Sequence, residues 1–239
     1  MSLESLASGT IQGKTNFADR ALVLELCTRL ALRVPGNFIE FGVASGDSTL
    51  VIAKTLRRYG RSSLDPRRRF FALDSFEGLP EAFENAPAGS FACEPPRIRG
   101  VEIVKGYFDE TLTPEFARRV GSIAFAHLDA DLYSSTRTAL YFLTPLLGTG
   151  SILAFDEFLG AEAAERRAFE DWVQETGIQT VPVAELARDG SGFNLEKTDV
   201  RAVYQAIKTA DIPKPLPVSM LKKLAKYYFR RVQHRLGGE

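Results

Sequence analysis

The sequence predicts a doubly wound α/β sheet of seven mostly parallel strands with helices on both faces. Three observations carry that expectation. Short apolar runs alternate with stretches of helical periodicity along most of the chain. Two of the runs, Ile123-Ala124-Phe125-Ala126 and Ile152-Leu153-Ala154-Phe155, flank a helical stretch and so form a strand–helix–strand unit. The last two runs, residues 179–182 and 200–207, are joined through Asp189-Gly190-Ser191-Gly192 and read as a closing strand hairpin.

Taken in order, residues 17–33 place Leu22, Leu26 and Leu30 on one helical stripe, which Pro35-Gly36 ends. Residues 37–42 form a buried strand that runs into a glycine turn, and residues 48–59 return to a helix. The second strand, 69–73, follows a basic loop holding Arg57, Arg58, Arg61, Arg67, Arg68 and Arg69, which reads as solvated, as does Lys105. Residues 79–99 are rich in Pro, Ala and Gly without periodicity, and long enough to act as a lid. A third strand at 101–104, a short helix at 114–120, the two acid-bearing strands and an amphipathic helix at 161–176 carrying Trp172 complete the body. The expected division is an N-terminal helical segment (1–35), one main domain (36–210), and a Pro-containing linker with a basic amphipathic helix (211–239).

Composition excludes several classes. Formal net charge is zero across 239 residues, so no global field recruits nucleic acid. Cys27 and Cys93 are the only cysteines, and His127 and His234 the only histidines, a set that offers neither a disulfide framework nor a zinc site. The first ten residues lack the basic and apolar regions of a secretory signal. The most apolar window, 139–155, is broken by Pro145 and Gly148-Thr149-Gly150 and reads as a turn before a buried strand, not a membrane span. A cytoplasmic protein is the expectation.

The chemistry gathers at strand ends. Leu128-Asp129-Ala130-Asp131-Leu132-Tyr133 and Phe155-Asp156-Glu157-Phe158 follow two strands whose C-terminal ends share one rim, where α/β sheets bind ligands. Four carboxylates there repel one another unless a cation or shared proton offsets the charge, which points to a metal-assisted site. Upstream, Glu40, Gly42 and Gly46 lie between a strand and a helix that starts near Ser48. Their spacing is Glu-x-Gly-x-x-x-Gly, without the Gly-x-Gly-x-x-Gly of dinucleotide sites or the lysine of a P-loop. A strand-end acid suits a ligand with a cationic or hydroxyl-rich group; the alternative is a plain glycine turn capping the helix. Asp74 ends the second strand, placed either for ribose hydroxyls or as the cap of the next turn.

Read together, four blocks resemble the macrocin O-methyltransferase family of class I S-adenosylmethionine (SAM) enzymes, which modify sugars of macrolide and aminocoumarin antibiotics. The blocks are Gly36-Asn-Phe-Ile-Glu-Phe-Gly-Val-Ala-Ser-Gly, Leu73-Asp-Ser-Phe-Glu-Gly-Leu-Pro, Val104-Lys-Gly-Tyr-Phe-Asp-Glu-Thr-Leu, and Leu128-Asp-Ala-Asp-Leu-Tyr-Ser-Ser-Thr running on to Phe155-Asp-Glu-Phe. The resemblance implies a Rossmann-like class I methyltransferase fold. It implies that Glu40, Gly42 and Gly46 line the methionine end of SAM, that Asp74 holds the ribose, and that Ser75 and Phe76 sit beside the adenosine. Ser48 and Asp129 complete the implied cofactor set. Asp129, Asp156 and Glu157 are the implied Mg²⁺ ligands, and Asp131 stands where some members place the general base. Two departures are visible: the family's Asp-Asp-Tyr is Asp156-Glu157-Phe158 here, and the glycine of its Asp-Gly-Asp is Ala130.

These residues suit methyl transfer to a hydroxyl of a sugar or other polyhydroxylated small molecule. Asp131 serves as base, or else as a helix cap or outer metal ligand. His127 points away from Leu128 in a regular strand and reads as a buried supporting residue more than as a base. The alternatives are catechol-like phenolic O-methylation and a catalytically silent SAM-binding regulatory or scaffold protein. After Pro213, Pro215 and Pro217, residues 218–236 set Leu221, Leu224, Tyr228 and Val232 against Lys222, Lys223, Lys226, Arg230, Arg231 and Arg235. Such a helix fits a membrane surface, a partner subunit in a homo-oligomer, or its own domain.

Overall fold

Short runs of Phe, Ile, Val and Ala become strands here because aromatic and β-branched side chains pack on a pleated surface. The computed structural model describes residues 15–60, 65, 67–83, 85–156, 158, 163–185 and 202–207. The strands are β1 (Asn37–Phe41), β2 (Phe70–Asp74), β3 (Glu102–Lys105), β4 (Ile123–Leu128), β5 (Leu147–Phe155), β6 (Gln179–Glu185) and β7 (Ala202–Ile207). They form one sheet in the order β3-β2-β1-β4-β5-β7-β6. The first five are mutually parallel, whereas β7 pairs antiparallel with both β5 and β6. The seven mostly parallel strands and the closing hairpin are as the sequence predicts.

Among the described residues the helices are α1 (Thr15–Ala31), α2 (Asp47–Tyr59), α3 (Phe108–Thr111), α4 (Pro114–Val120), α5 (Tyr133–Leu143) and α6 (Ala164–Thr176). Alternation along β1 divides the core between the two faces. Phe38 joins Leu24 and Cys27 of α1 and Ile52 of α2 on one face. Ile39 and Phe41 join Phe116 of α4, Leu140 of α5, and Phe169 and Trp172 of α6 on the other. Trp172 is fully buried, and its indole N–H donates to Thr144 Oγ1 at 2.9 Å, so the burial strands no donor. At α4 the local rules agree with the packing. Thr113 caps the helix by accepting from the Phe116 amide at 3.1 Å, and Pro114 opens its first turn.

Several elements differ from the sequence reading. β5 begins at Leu147 and takes in Gly148 and Gly150, because Leu147 pairs with Ile123 of β4 whatever its local propensity. The four-residue α3 is too short to show a period. The basic loop is not simply solvated. Arg68 donates to the carbonyl oxygens of Ala31, Leu32 and Val34, satisfying groups that the end of α1 leaves open. Arg69 pairs with Glu102, and Arg57 donates to the Arg99 carbonyl at 2.9 Å. The expected lid region closes on itself: the Leu79 amide donates to Ser90 O at 2.9 Å and the Gly89 amide to Leu79 O at 2.8 Å. Among the described residues no helix is long and apolar enough to cross a membrane. The predicted basic helix at 218–236, and Arg61 of the basic loop, lie outside the described residues.

Burial pushes the Cys27 thiol up to about 12. With its pKa raised above the unfolded value, Cys27 is neutral in both states below pH 9, and its burial costs stability only as pH climbs from 9 toward 12. Titration with a thiol-specific chromogenic reagent near pH 8 is therefore expected to find Cys27 unreactive in the native chain and reactive after denaturation. A fast-reacting second thiol in the native protein, beyond the half-buried Cys93, would contradict this packing.

Candidate active site

Four strand ends are tied side by side by backbone hydrogen bonds. The Gly42 amide donates to Leu73 O, the Asp129 amide to Phe41 O and the Asp156 amide to Leu128 O, each at 2.9 Å. The chain order reverses between β1 and β4, which opens a crevice above that rim. Gly42 has φ of 90°, and a Cβ there would overlap the Asp129 carbonyl oxygen. A cleft of about 720 Å³ lies over this junction and is lined, among others, by Gly42, Ser48, Asp74, Ser75, Asp129, Asp131 and Asp156.

On the β1–β2 side, Asp74 is oriented by backbone. Its Oδ2 accepts from the amides of Val43 (2.7 Å) and Ala44 (2.9 Å), and its Oδ1 from the amide of Phe76 (2.8 Å). A carboxylate offers about four acceptor positions, so one remains for a ligand hydroxyl. Ser75 Oγ donates to Gly78 O at 3.0 Å and accepts from the Glu77 amide at 3.1 Å, which tightens the turn below it. Three further residues that the resemblance assigns to the cofactor have contacts of their own within the protein. Gly46 adopts φ of 87° at the start of α2 and faces Pro96 and Ile98. Phe76 packs with Val43 and Ala72. Glu40 is fully buried, with its carboxylate shared between the Thr49 hydroxyl and His127 Nδ1, the latter at 2.8 Å.

On the β4–β5 side, Asp129 and Asp156 follow strands paired Leu128 to Phe155 and so stand next to each other. Burial, the charge of Asp156, and then Glu165 and Asp131 hold the Asp129 carboxyl well above the usual carboxylate range, an effect that Arg20 partly offsets. Arg20 is the residue that sequence reasoning missed. From α1 its guanidinium donates to Asp129 Oδ2 and places Nε 3.2 Å from Asp156 Oδ1. The available signal is positional: Arg20 precedes Val23, Leu24 and Cys27 by three, four and seven residues, so it shares their buried helical stripe. Glu165 Oε1 accepts from the Ala130 amide at 3.0 Å and fixes the turn between Asp129 and Asp131.

Asp131 lines the cleft with φ of 55°, a left-handed backbone that Asp adopts more readily than most residues. It does not occupy the cap position of α5, which belongs to Leu132, whose side chain makes no capping bond. Ala130 has no positive φ, so alanine replaces glycine there without backbone strain. Phe158 puts its ring 5.0 Å from Phe155 and 5.5 Å from Phe169, a packing role that requires no hydroxyl. Glu157 lies outside the described residues. A ring nitrogen of His127 and a carboxylate oxygen from each of Asp129 and Asp156 all lie within 4.8 Å of one another. This donor set, with its mutual repulsion, fits a divalent cation.

A family described as a methyltransferase domain matches residues 39–158. The chain belongs to that family. It is 33% identical over 193 residues to the 8-demethyl-8-(2,3-dimethoxy-α-L-rhamnosyl)-tetracenomycin-C 4′-O-methyltransferase of Streptomyces olivaceus, covering 71% of this chain and 69% of that one. It is 26% identical over 149 residues to the demethyldecarbamoylnovobiocin O-methyltransferase of Streptomyces niveus, covering 53% and 54%. Among solved structures, the fold matches the calicheamicin methyltransferase CalS11 (TM-score 0.63, 21% identity, 87% of this chain and 90% of that one). It also matches the O-methyltransferase NovP (TM-score 0.57, 18% identity, 78% and 80%). As expected from its sequence, the chain is a SAM-dependent O-methyltransferase of class I fold.

Arg20 is about one-quarter exposed and Asp129 about one-fifth, so their pairing is worth less than a fully buried bridge and more than a surface one. Arg20→Met is expected to lower the unfolding free energy by about 1–2 kcal/mol at neutral pH. Asp129 has a raised folded pKa, so its charge costs stability as pH rises above the unfolded value of 3.8. The deficit of the variant should then be smallest near pH 4 and grow toward pH 7, as read by urea denaturation across that range. A pH-independent deficit would mean that Arg20 contributes through packing alone.

Proposed function

We propose that this O-methyltransferase modifies a hydroxyl of a sugar carried on a small natural product, with a divalent cation, Mg²⁺ in the first instance, at Asp129 and Asp156. The observation that carries the reading is one cleft with two chemically distinct ends. At one end stands Asp74, its carboxylate fixed by three amides, in the position suited to ribose hydroxyls. At the other stand Asp129, Asp131 and Asp156, with Ser134, Ser135 and Thr138 of α5 beside them. Carboxylates and hydroxyls grip a polyol by many hydrogen bonds, which supports a sugar over a flat apolar acceptor. The Streptomyces olivaceus relative is named for action on a rhamnosyl tetracenomycin, which supports the same class.

SAM supplies an electrophilic methyl group, and a divalent cation at the acidic rim orients adjacent hydroxyls and stabilises developing negative charge. The protein residues do the rest. Asp74 and the β1–α2 turn would hold the donor in the same cleft as the acidic rim, and holding both reactants there would lower the entropic part of the barrier. Asp131 accepts the proton of the attacking hydroxyl, a contribution of roughly 10²–10⁴-fold. Its left-handed backbone is locally unfavourable and is held by the Ala130–Glu165 bond, the kind of strain that functional sites retain. Asp129 and Asp156 hold the cation.

The test is methyl transfer from SAM to a panel of deoxysugar glycosides and catechols, followed by mass spectrometry. Glycosides should gain one methyl and catechols none; the reverse pattern would sink the sugar reading. Asp131→Asn should lower kcat by roughly 10²–10⁴-fold while calorimetry finds SAM binding unchanged. Asp74→Asn should do the opposite, weakening SAM affinity with a smaller effect on kcat at saturation.

A further inference from the structure

We propose that His127 is itself a ligand of the rim cation, through Nε2, and that the site is a mixed nitrogen–oxygen centre favouring Mn²⁺-type transition ions over Mg²⁺. The inference deepens the proposed function and rests on its cation site. His127 is fully buried one strand position below the rim and shares the Asp129 face of β4, since residues two apart in a strand point the same way. Its Nδ1 lies 2.8 Å from Glu40 Oε1. A carboxylate accepts, so Nδ1 is the donor to Glu40, and Nε2 is the ring nitrogen left to offer a lone pair to an ion. That Nε2 is buried and has no hydrogen-bond partner among the described residues.

An orphaned imidazole nitrogen is costly in a well-packed core, where buried polar groups are almost always paired. The groups that share its surroundings are Asp129 and Asp156, each with a carboxylate oxygen within 4.8 Å of a His127 ring nitrogen and of the other. A carboxylate that fixes the far nitrogen of an imidazole is the usual outer support of a metal-bound histidine. Glu40 has that place here, and the Thr49 hydroxyl in turn holds the other oxygen of Glu40. Glu40 and His127 are register partners on adjacent strands, so the sheet itself builds the relay from β1 to the rim.

One nitrogen in the donor set changes which ion is favoured. Mg²⁺ takes a near-ideal octahedral oxygen shell, whereas first-row transition ions accept nitrogen donors with an affinity that rises from Mn²⁺, itself well matched to the two carboxylates, through Fe²⁺ to the later ions. Arg20 holds the same two carboxylates and so competes with any cation for them.

The experiment uses the full chain, with any affinity tag removed, loaded with Mn²⁺ without SAM and examined by pulsed electron paramagnetic resonance. Modulation from a directly bound ¹⁴N nucleus is expected in the wild type. Because His234 is the only other histidine, the modulation should vanish in His127→Asn. Calorimetry should find Mn²⁺ bound at least about tenfold more tightly than Mg²⁺, with the preference lost in the variant, and Glu40→Gln should weaken Mn²⁺ about 10–100-fold. Tight Mn²⁺ binding in the wild type without ¹⁴N modulation would overturn the His127 assignment and leave the carboxylate site standing. No saturable Mn²⁺ binding at all, with Asp129→Asn indistinguishable from wild type, would overturn both. The wild-type spectrum decides the matter even where a variant fails to fold.

Discussion

The close approach of β1 and β4 at Gly42 is the constraint on which the rest of the site depends. Gly42 turns with φ of 90° while the Asp129 carbonyl occupies the space that any side chain would need. A substituent there would force the two strand ends apart, and with them the hydrogen bond from the Asp129 amide to Phe41 O. That bond sets the height of Asp129 on the rim, and the next, from the Asp156 amide to Leu128 O, sets Asp156 beside it. On the other side the chain leaving Gly42 presents the amides of Val43 and Ala44 to Asp74. One missing methyl thus fixes both halves of the cleft relative to each other.

Charge is the second organising demand, and the chain meets it locally. Salt bridges such as Arg118–Glu115 and Arg166–Glu170 lie on exposed helix faces and contribute about 0–1 kcal/mol each. The rim is different, because Asp129 and Asp156 face one another at partial burial with Glu165 and Asp131 close by. A protein with zero formal charge has no global field to relieve that repulsion, so relief has to be local, by a neighbouring positive charge or a shared proton. Arg20 meets part of the need from α1, which couples the N-terminal helix to the chemistry of the cleft.

Beneath the rim, Thr49, Glu40 and His127 form a polar chain that crosses from α2 through β1 to β4 inside an otherwise apolar sheet. Such a chain stabilises little against a hydrophobic replacement of equal volume, because desolvation offsets most of its attraction. Its value lies in orientation: it fixes which imidazole nitrogen faces the carboxylates. The large apolar faces on either side, with Phe38 in one and Ile39 and Phe41 in the other, supply the stability that this arrangement does not.

By itself the sequence determined the element order, the parallel core and closing hairpin, and the gathering of acids at strand ends. These follow from short-range physics: period, glycine at turns, and apolar runs that must be buried. It also brought Asp74, Asp129, Asp131 and Asp156 to one rim, because strand-end residues in a parallel sheet converge whatever their side chains do. Glu157 and the basic tail at 218–236, read from the same patterns, lie outside the described residues. Only the tertiary structure decided which side chains line the cleft. Glu40 and Phe76 sit in the motifs, yet their partners, His127 for one and Val43 and Ala72 for the other, come from the way the strands are stacked, and no periodicity encodes it. The pairings of Arg20 with Asp129 and of His127 with Glu40 span 109 and 87 residues respectively. Contacts of that separation depend on how helices and strands are stacked, and a one-dimensional pattern carries no term for it.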